Sequence, residues 1–178
     1  MPLTSTVAAA VEYVAPAVGK LIGLCGKMAA GKSTLAKLLA EREGAMIFAQ
    51  DQLLEQLFPG EINSVADYVR VSWRVNHALE PTILALLERD IAVVLDFPGN
   101  TRRQRAWYRA LIDAAGAPHE LHFVDAPDDL CKRQLAVRSR GLPAGAAWTS
   151  DADFDAVNVY FEPPSDDEGF NVIRHPRG

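Results

Sequence analysis

Residues 20–34 read KLIGLCGKMAAGKST, and this stretch decides how the rest is read. Lys20–Cys25 is a short apolar run, as expected of a buried strand. Gly26, Lys27, Met28, Ala29, Ala30, Gly31, Lys32 and Ser33 then match the spacing G-x-x-x-x-G-K-S/T at every fixed position. Ser33–Glu43 continues with Leu35, Ala36, Leu38, Leu39 and Ala40 at helical spacing, and Gly44 is a stop. A strand, a glycine-rich turn and a helix in that order make a phosphate cradle. Gly26 and Gly31 let successive backbone N–H groups turn inward, and the helix aims its N-terminal amides at the same anion. Lys32 adds a positive charge, the Ser33 hydroxyl suits Mg²⁺, and Thr34 is counted with Gly26–Ser33 at the nucleotide. The loop is therefore expected to bind a nucleoside triphosphate, with Lys27 as a solvated side chain within it.

Strands and helices alternate outward from this point. Ala45–Ala49 reads as a second strand, and Asp51 as the cap of a helix over Gln52–Phe58. A long helical insert over 62–90 starts at Asn63 or Ser64. Val65, Tyr68, Val69, Ser72, Val75 and Leu79 share its inner face, and Pro81 is expected to kink or split it. Ile91–Asp96 (IAVVLD) has the near-continuous apolar character of a central parallel strand. Thr101–Ala115 reads as a helix with Trp107, Leu111 and Ala114 inward, Glu120–Val124 as a strand, and Pro127–Arg140 as a helix. Asp151–Phe161 reads as helical and Phe170–His175 as a last strand. The pattern predicts one α/β domain over 1–178, a layered sandwich around a mostly parallel sheet. Residues 1–19 are either a loose arm or an element laid against it, and they lack the basic start of a secretory signal.

Composition narrows the function. The chain has 178 residues, 49% hydrophobic and 23% charged, with a net charge of −5, which disfavours a dedicated duplex-DNA binder. Cys25 and Cys131 make neither a disulfide framework nor a zinc site, and the expected compartment is a reducing cytoplasm. No apolar run is long enough to cross a membrane. The charge is uneven: residues 101–150 carry 8 basic and 5 acidic side chains, and residues 151–178 carry 2 and 7. The basic segment is expected to meet polyphosphate and the acidic tail to lie away from it.

Three further signals carry chemistry. Asp96 ends an apolar strand, where a carboxylate would sit beside the metal held by Ser33. Asp96-Phe97-Pro98-Gly99 also spells a GTPase D-x-x-G, but no N-K-x-D segment exists and Pro98 removes a backbone N–H. Asp51, at the carboxyl end of the second strand, faces the expected ligand crevice and can accept a proton from an attacking hydroxyl. Arg105, Arg138 and Arg140 stand out among eight basic residues in the 101–150 segment, the last two at the start of a GLPAGAAW lid over 138–150.

These stretches together, over about residues 20–141, resemble the small phosphate-loop kinases often labelled AAA-family ATPase domains. Polynucleotide kinase, gluconate kinase, chloramphenicol phosphotransferase and zeta toxin are of this kind. Asp96 followed by the N-T-x-x-x-R of Asn100, Thr101 and Arg105 is the group's middle signature. The resemblance implies ATP and Mg²⁺, Asp51 as acceptor-side base, Arg105 at the nucleotide and Arg138 or Arg140 as lid arginines. Polynucleotide kinases carry an arginine shortly after the Asp51 position, where this chain has Leu53 and Leu54. A small-molecule hydroxyl acceptor is thus expected rather than a nucleic-acid end.

Arg70, Trp73, Arg74 and His77 share one helical face that would suit such an acceptor, or would be an ordinary surface stripe. Tyr68 and Trp148 read as packing residues. Tyr160 and Phe161 could border adenine or pack an edge, and Ser165–Glu168 reads as a solvated loop. The other readings left open are an ATP-binding module without transfer, a nucleotide-sugar kinase and a polynucleotide 5′-end kinase.

Overall fold

The computed structural model describes residues 17–142 and 148–178. Residues 1–16 of the expected arm over 1–19, and 143–147 of the expected lid over 138–150, lie outside the described residues. The strands are β1 (Leu21–Cys25), β2 (Met46–Ala49), β3 (Val93–Asp96), β4 (His119–Asp125) and β5 (Val172–Pro176). The helices are α1 (Lys32–Glu43), α2 (Gln50–Leu57), α3 (Val65–Leu87), α4 (Arg102–Ala115), α5 (Asp128–Arg138) and α6 (Asp151–Asn158). The strands form one parallel sheet in the order β2-β3-β1-β4-β5.

Strand alternation sorts the core into two layers. Ile22, Leu24 and Val94 face Ala36, Leu39 and Ala40 of α1. Leu21, Cys25, Val93, Leu95, Leu121 and Phe123 face the other way, against Ile83 and Leu87 of α3 and Trp107, Tyr108, Leu111 and Ile112 of α4. β1 is buried at all five positions because it is central and covered on both faces. Gly23 and Gly99 are required by close approach: a Cβ on Gly23 would meet the Tyr108 ring at 2.8 Å, and one on Gly99 the Leu24 carbonyl at 2.5 Å. In this chain the glycine of Asp96-Phe97-Pro98-Gly99 lets the β3–α4 turn lie against β1.

Several expectations change. Asp51 does not cap α2: the helix begins at Gln50 directly after β2, with Ala49 as its N-cap, and Asp51 lies in the first turn. No loop separates strand from helix, so the acid is lifted onto the helix. Pro81 does not split the insert, and α3 runs unbroken over 23 residues. Packing on both sides outweighs the lost hydrogen bond: Val71 and Val75 bury against Leu54 of α2, and Ile83 and Leu87 enter the main core. On α3, Val69 is exposed and Val71 and Asn76 are buried, so the inner face is rotated from the expected one. Ala114 is exposed, and Arg105 and Tyr108 are buried in its place on α4.

The acidic tail is also relocated. Ser165–Glu168 is a capped 3-10 turn clamped onto α4, not a solvated loop. Glu168 receives the Arg105 guanidinium at 2.7 and 2.8 Å, and Asp167 receives Arg102 at 2.9 Å. The chain then returns as β5 beside β4, bringing its end to the carboxyl edge of the sheet, where the phosphate loop lies.

Candidate active site

The phosphate loop leaves β1 at Gly26 and enters α1 at Lys32. Gly26 and Gly31 have φ of 147° and 103°, and Ala29 has φ of 56°. Gly26 is also pressed against β4, since a Cβ there would meet the Val124 carbonyl at 2.7 Å. Its N–H donates to Asn100 Oδ1 at 3.0 Å, so the β3–α4 turn braces the loop's first glycine. Lys32 folds back over the loop, donating to the Gly26 and Lys27 carbonyls at 2.6 and 2.8 Å. Burial lowers the pKa of this ammonium, and neighbouring Cys25, Asp51 and Asp96 oppose the shift. Met28 and Ala29 are half-buried, and Ala30 is buried against Cys131, Leu135 and Phe154. Lys27 does not swing free: it pairs with Asp128 of α5 and lies 5.9 Å over the Phe161 ring. Thr34 is exposed in the first turn of α1.

Beyond the loop, Ser33 Oγ donates to Asp96 Oδ1 at 3.1 Å. Burial raises the Asp96 carboxyl pKa; the Ser33 hydrogen bond opposes this, and the Asp51 charge adds to it. A hydroxyl and a carboxylate that gains from a nearby cation are a donor set suited to Mg²⁺. Both border a cavity of about 460 Å³, with Asp51, Gln52, Phe48 and Lys37 on its other sides. Asp51, from the first turn of α2, and Asp96, from the end of β3, thus share one cavity. Lys37 was not anticipated, although it lies four residues after Ser33, one turn further along α1.

The arginines divide. Arg105, expected at the nucleotide, is wholly buried and its guanidinium is occupied by protein groups. Besides Glu168, it donates to the carbonyls of Gly99 at 3.0 Å and Glu162 at 2.7 Å. It acts as a clamp between α4, the turn beneath the loop and the tail. The N-T-x-x-x-R signature thus has a structural reading: Asn100 braces the loop, Thr101 caps α4 with Gln104, and Arg105 holds the tail. Arg138 ends α5 and Arg140 follows it, both exposed. Arg177, which the sequence reading passed over, follows β5 and donates to Ala30 O of the loop at 3.3 Å. Only the β4–β5 pairing brings it there. Phe161 stacks on Phe123 with centroids 6.1 Å apart, an edge-packing role, and Tyr160 is exposed.

On α3 the expected stripe points mostly outward. Arg70, Arg74 and His77 are exposed; Arg70 pairs with Asp67 at 3.3 Å, and His77 Nδ1 meets the Trp73 carbonyl at 2.7 Å. The Arg103 guanidinium lies 5.0 Å over the half-buried Trp73 ring. Facing inward are Tyr68, Ser72 and Asn76, spaced by four. Tyr68 Oη donates to Gln50 Oε1 at 3.0 Å, and Gln50 Nε2 donates to Asn76 Oδ1 at 2.7 Å. Trp148 packs edge-on to Tyr68 at 6.4 Å, so both are packing residues as expected, and they join the end of the lid segment to α3.

A sequence profile described as an AAA domain matches residues 21–164. A search of curated protein sequences finds no match. Among solved structures, the APS kinase CysC of Mycobacterium tuberculosis, in complex with AMPPNP and APS, superposes with a TM-score of 0.65 at 18% identity, covering 90% of each chain. Kti12 of Chaetomium thermophilum, in complex with ADP-AlF3, gives 0.65 at 15% identity, covering 88% of each chain. A sugar kinase from Janibacter gives 0.60 at 14% identity, covering 89% of this chain and 85% of that one. At these identities the likeness is one of fold.

Proposed function

This chain belongs to the AAA domain family, and from that premise we propose that it is an ATP-dependent phosphotransferase moving the γ-phosphoryl group to a hydroxyl of a small-molecule acceptor. One observation carries the reading: Asp51, Asp96 and Ser33 line the same cavity. A carboxylate facing that open space is placed to take a proton from a hydroxyl bound there. In the step, a lone pair of the acceptor oxygen forms a bond to the γ-phosphorus, and the bond from that phosphorus to the β–γ bridging oxygen breaks. The hydroxyl proton passes to Asp51, and ADP leaves with the bridging oxygen.

Lys32, now resting on the loop carbonyls, moves to the β- and γ-phosphates, and the loop amides with Thr34 hold the remainder. Ser33 and Asp96 would hold Mg²⁺, which when bound offsets phosphate charge. Arg138 and Arg140, at the base of the lid over 138–150, would close over the transferring group and exclude water. We place the protein in the cytoplasm, in keeping with two buried free thiols.

Asp51→Asn tests the base. Acceptor-dependent ADP release should fall by about 10²- to 10⁴-fold, with nucleotide affinity unchanged. A variant that transfers as fast as the wild type would rule out the assigned base.

A further inference from the structure

A second, smaller cavity lies between α3 and the β3–α4 turn, bordered by Gln50, Tyr68, Ser72, Trp73, Asn76 and Gln104. Its volume is about 30 Å³, room for a hydroxymethyl group or one or two waters. Gln50 borders it, and the chain neighbours of Gln50, Ala49 and Asp51, border the larger cavity. Ser72 is 8% exposed, and its Oγ has no hydrogen-bond partner; the Tyr68 phenol lies close by but gives its proton to Gln50. A buried hydroxyl left unpaired costs about 1–3 kcal/mol, so an unfilled partner at this position invites a ligand group. Among the described residues, none of the eight lining the cavity is charged. Amides, a phenol, a hydroxyl and an indole recognise hydroxyls. They give no compensation to an anion, whose desolvation is costly.

We infer that this cavity is the specificity pocket of the acceptor site, and that it takes an uncharged, hydroxyl-bearing group such as part of a sugar or polyol ring. The inference rests on the phosphotransferase reading and names its substrate class. Arg103, exposed on α4, lies over the ring of Trp73, which borders the pocket. Arg103 therefore separates the two substrate classes: it is idle for an uncharged acceptor and needed for an anionic one. Ser72, Asn76 and Gln50 are positioning residues, since they hold the acceptor while Asp51 takes its proton.

The test uses the full chain with saturating ADP. Thermal shift is measured with uncharged aldoses, polyols and nucleosides and with their phosphorylated or sulfated counterparts, and ADP release from ATP is followed in parallel. An uncharged compound should raise Tm and stimulate release, and its charged counterpart should do neither. Ser72→Ala should raise the acceptor KM about tenfold, the worth of one hydrogen bond, with ATP affinity unchanged. Its unliganded Tm should stay level or rise, because an unpaired buried hydroxyl has been removed, and a merely structural Ser72 would not combine these effects. Arg103→Ala should leave acceptor KM unchanged. An anionic acceptor that depends on Arg103 overturns the inference and leaves the phosphotransferase standing, and an unaltered KM in both Ser72→Ala and Asn76→Leu also overturns it. Binding by neither class overturns it as well. An uncharged compound that binds through Ser72 without phosphoryl transfer supports the pocket and overturns the transferase.

Discussion

Lys32 shows what one residue can do when the fold desolvates it. Its ammonium rests on two loop carbonyls, and burial lowers its pKa below the ordinary lysine range. The charged form binds phosphate, and a bound polyphosphate would draw the pKa back up, so binding favours proton uptake. Nucleotide affinity should therefore fall as pH rises from neutral toward about 10, starting below the pH at which a free lysine titrates. Titration calorimetry at several pH values, in buffers of differing ionisation enthalpy, reads both the loss and the proton uptake; a flat profile would contradict the assignment. The spacing from Gly26 to Ser33 was enough to find Lys32. Nothing in the spacing shows that Asn100 holds the loop's first N–H, because that bond joins residues 74 apart.

At the scale of elements, local pattern and tertiary contact disagree in instructive places. The helical run of α4 and the strand runs of β1 and β3 are local, and they lie within a residue or two of where the sequence pattern put them. Ser72 and Val75 lie on the inner face of α3 as expected, but Val69 does not, and buried Asn76 was missed because a hydrophobic pattern cannot flag a buried amide. The acidic turn at Ser165–Glu168 reads as solvent-facing until Arg105 is known to be buried beneath it. Arg105 is wholly buried and the Glu168 side chain is 9% exposed, so each depends on the other. Glu168→Gln should cost about 3–5 kcal/mol by leaving a buried charge without its counter-ion. Arg105→Met with Glu168→Leu together should cost less than the single change. Urea unfolding of the three proteins measures this, and a single variant as stable as the wild type would show that the clamp is dispensable.

For the molecule as a whole, the distribution of charge matters more than its total of −5. The acidic tail closes onto basic α4, and its end carries Arg177 to the phosphate loop. The Arg102 and Ser165 hydrogen bonds hold the Asp167 carboxyl well below the usual carboxylate range. Burial pushes Glu168 and Glu120 up, but their hydrogen bonds to Arg105, and to His122 and Lys20, more than offset it and leave both low. A depressed folded pKa contributes stability above the unfolded value, near 4 to about 4.5, and that stability is lost as pH falls through the folded value. Asp96 works oppositely: its pKa is raised by burial, so acid relieves a cost there. Because the depressed carboxylates outnumber it, Tm should fall from neutral to about pH 3. A Tm that holds or rises over that range would mean these pairs contribute nothing, as exposed pairs often do.

The sequence by itself determined the phosphate loop, the α/β alternation, and Asp96 at the end of its strand, because each depends on residues within one turn or one strand. Tertiary structure decided which polar residues line the two cavities, what Arg105 and Arg177 hydrogen-bond, and that Pro81 lies in an unbroken helix. Those outcomes turn on burial and on contacts between distant segments. A parallel sheet joins its strands only through long crossovers, so its site is assembled from residues that local periodicity cannot relate.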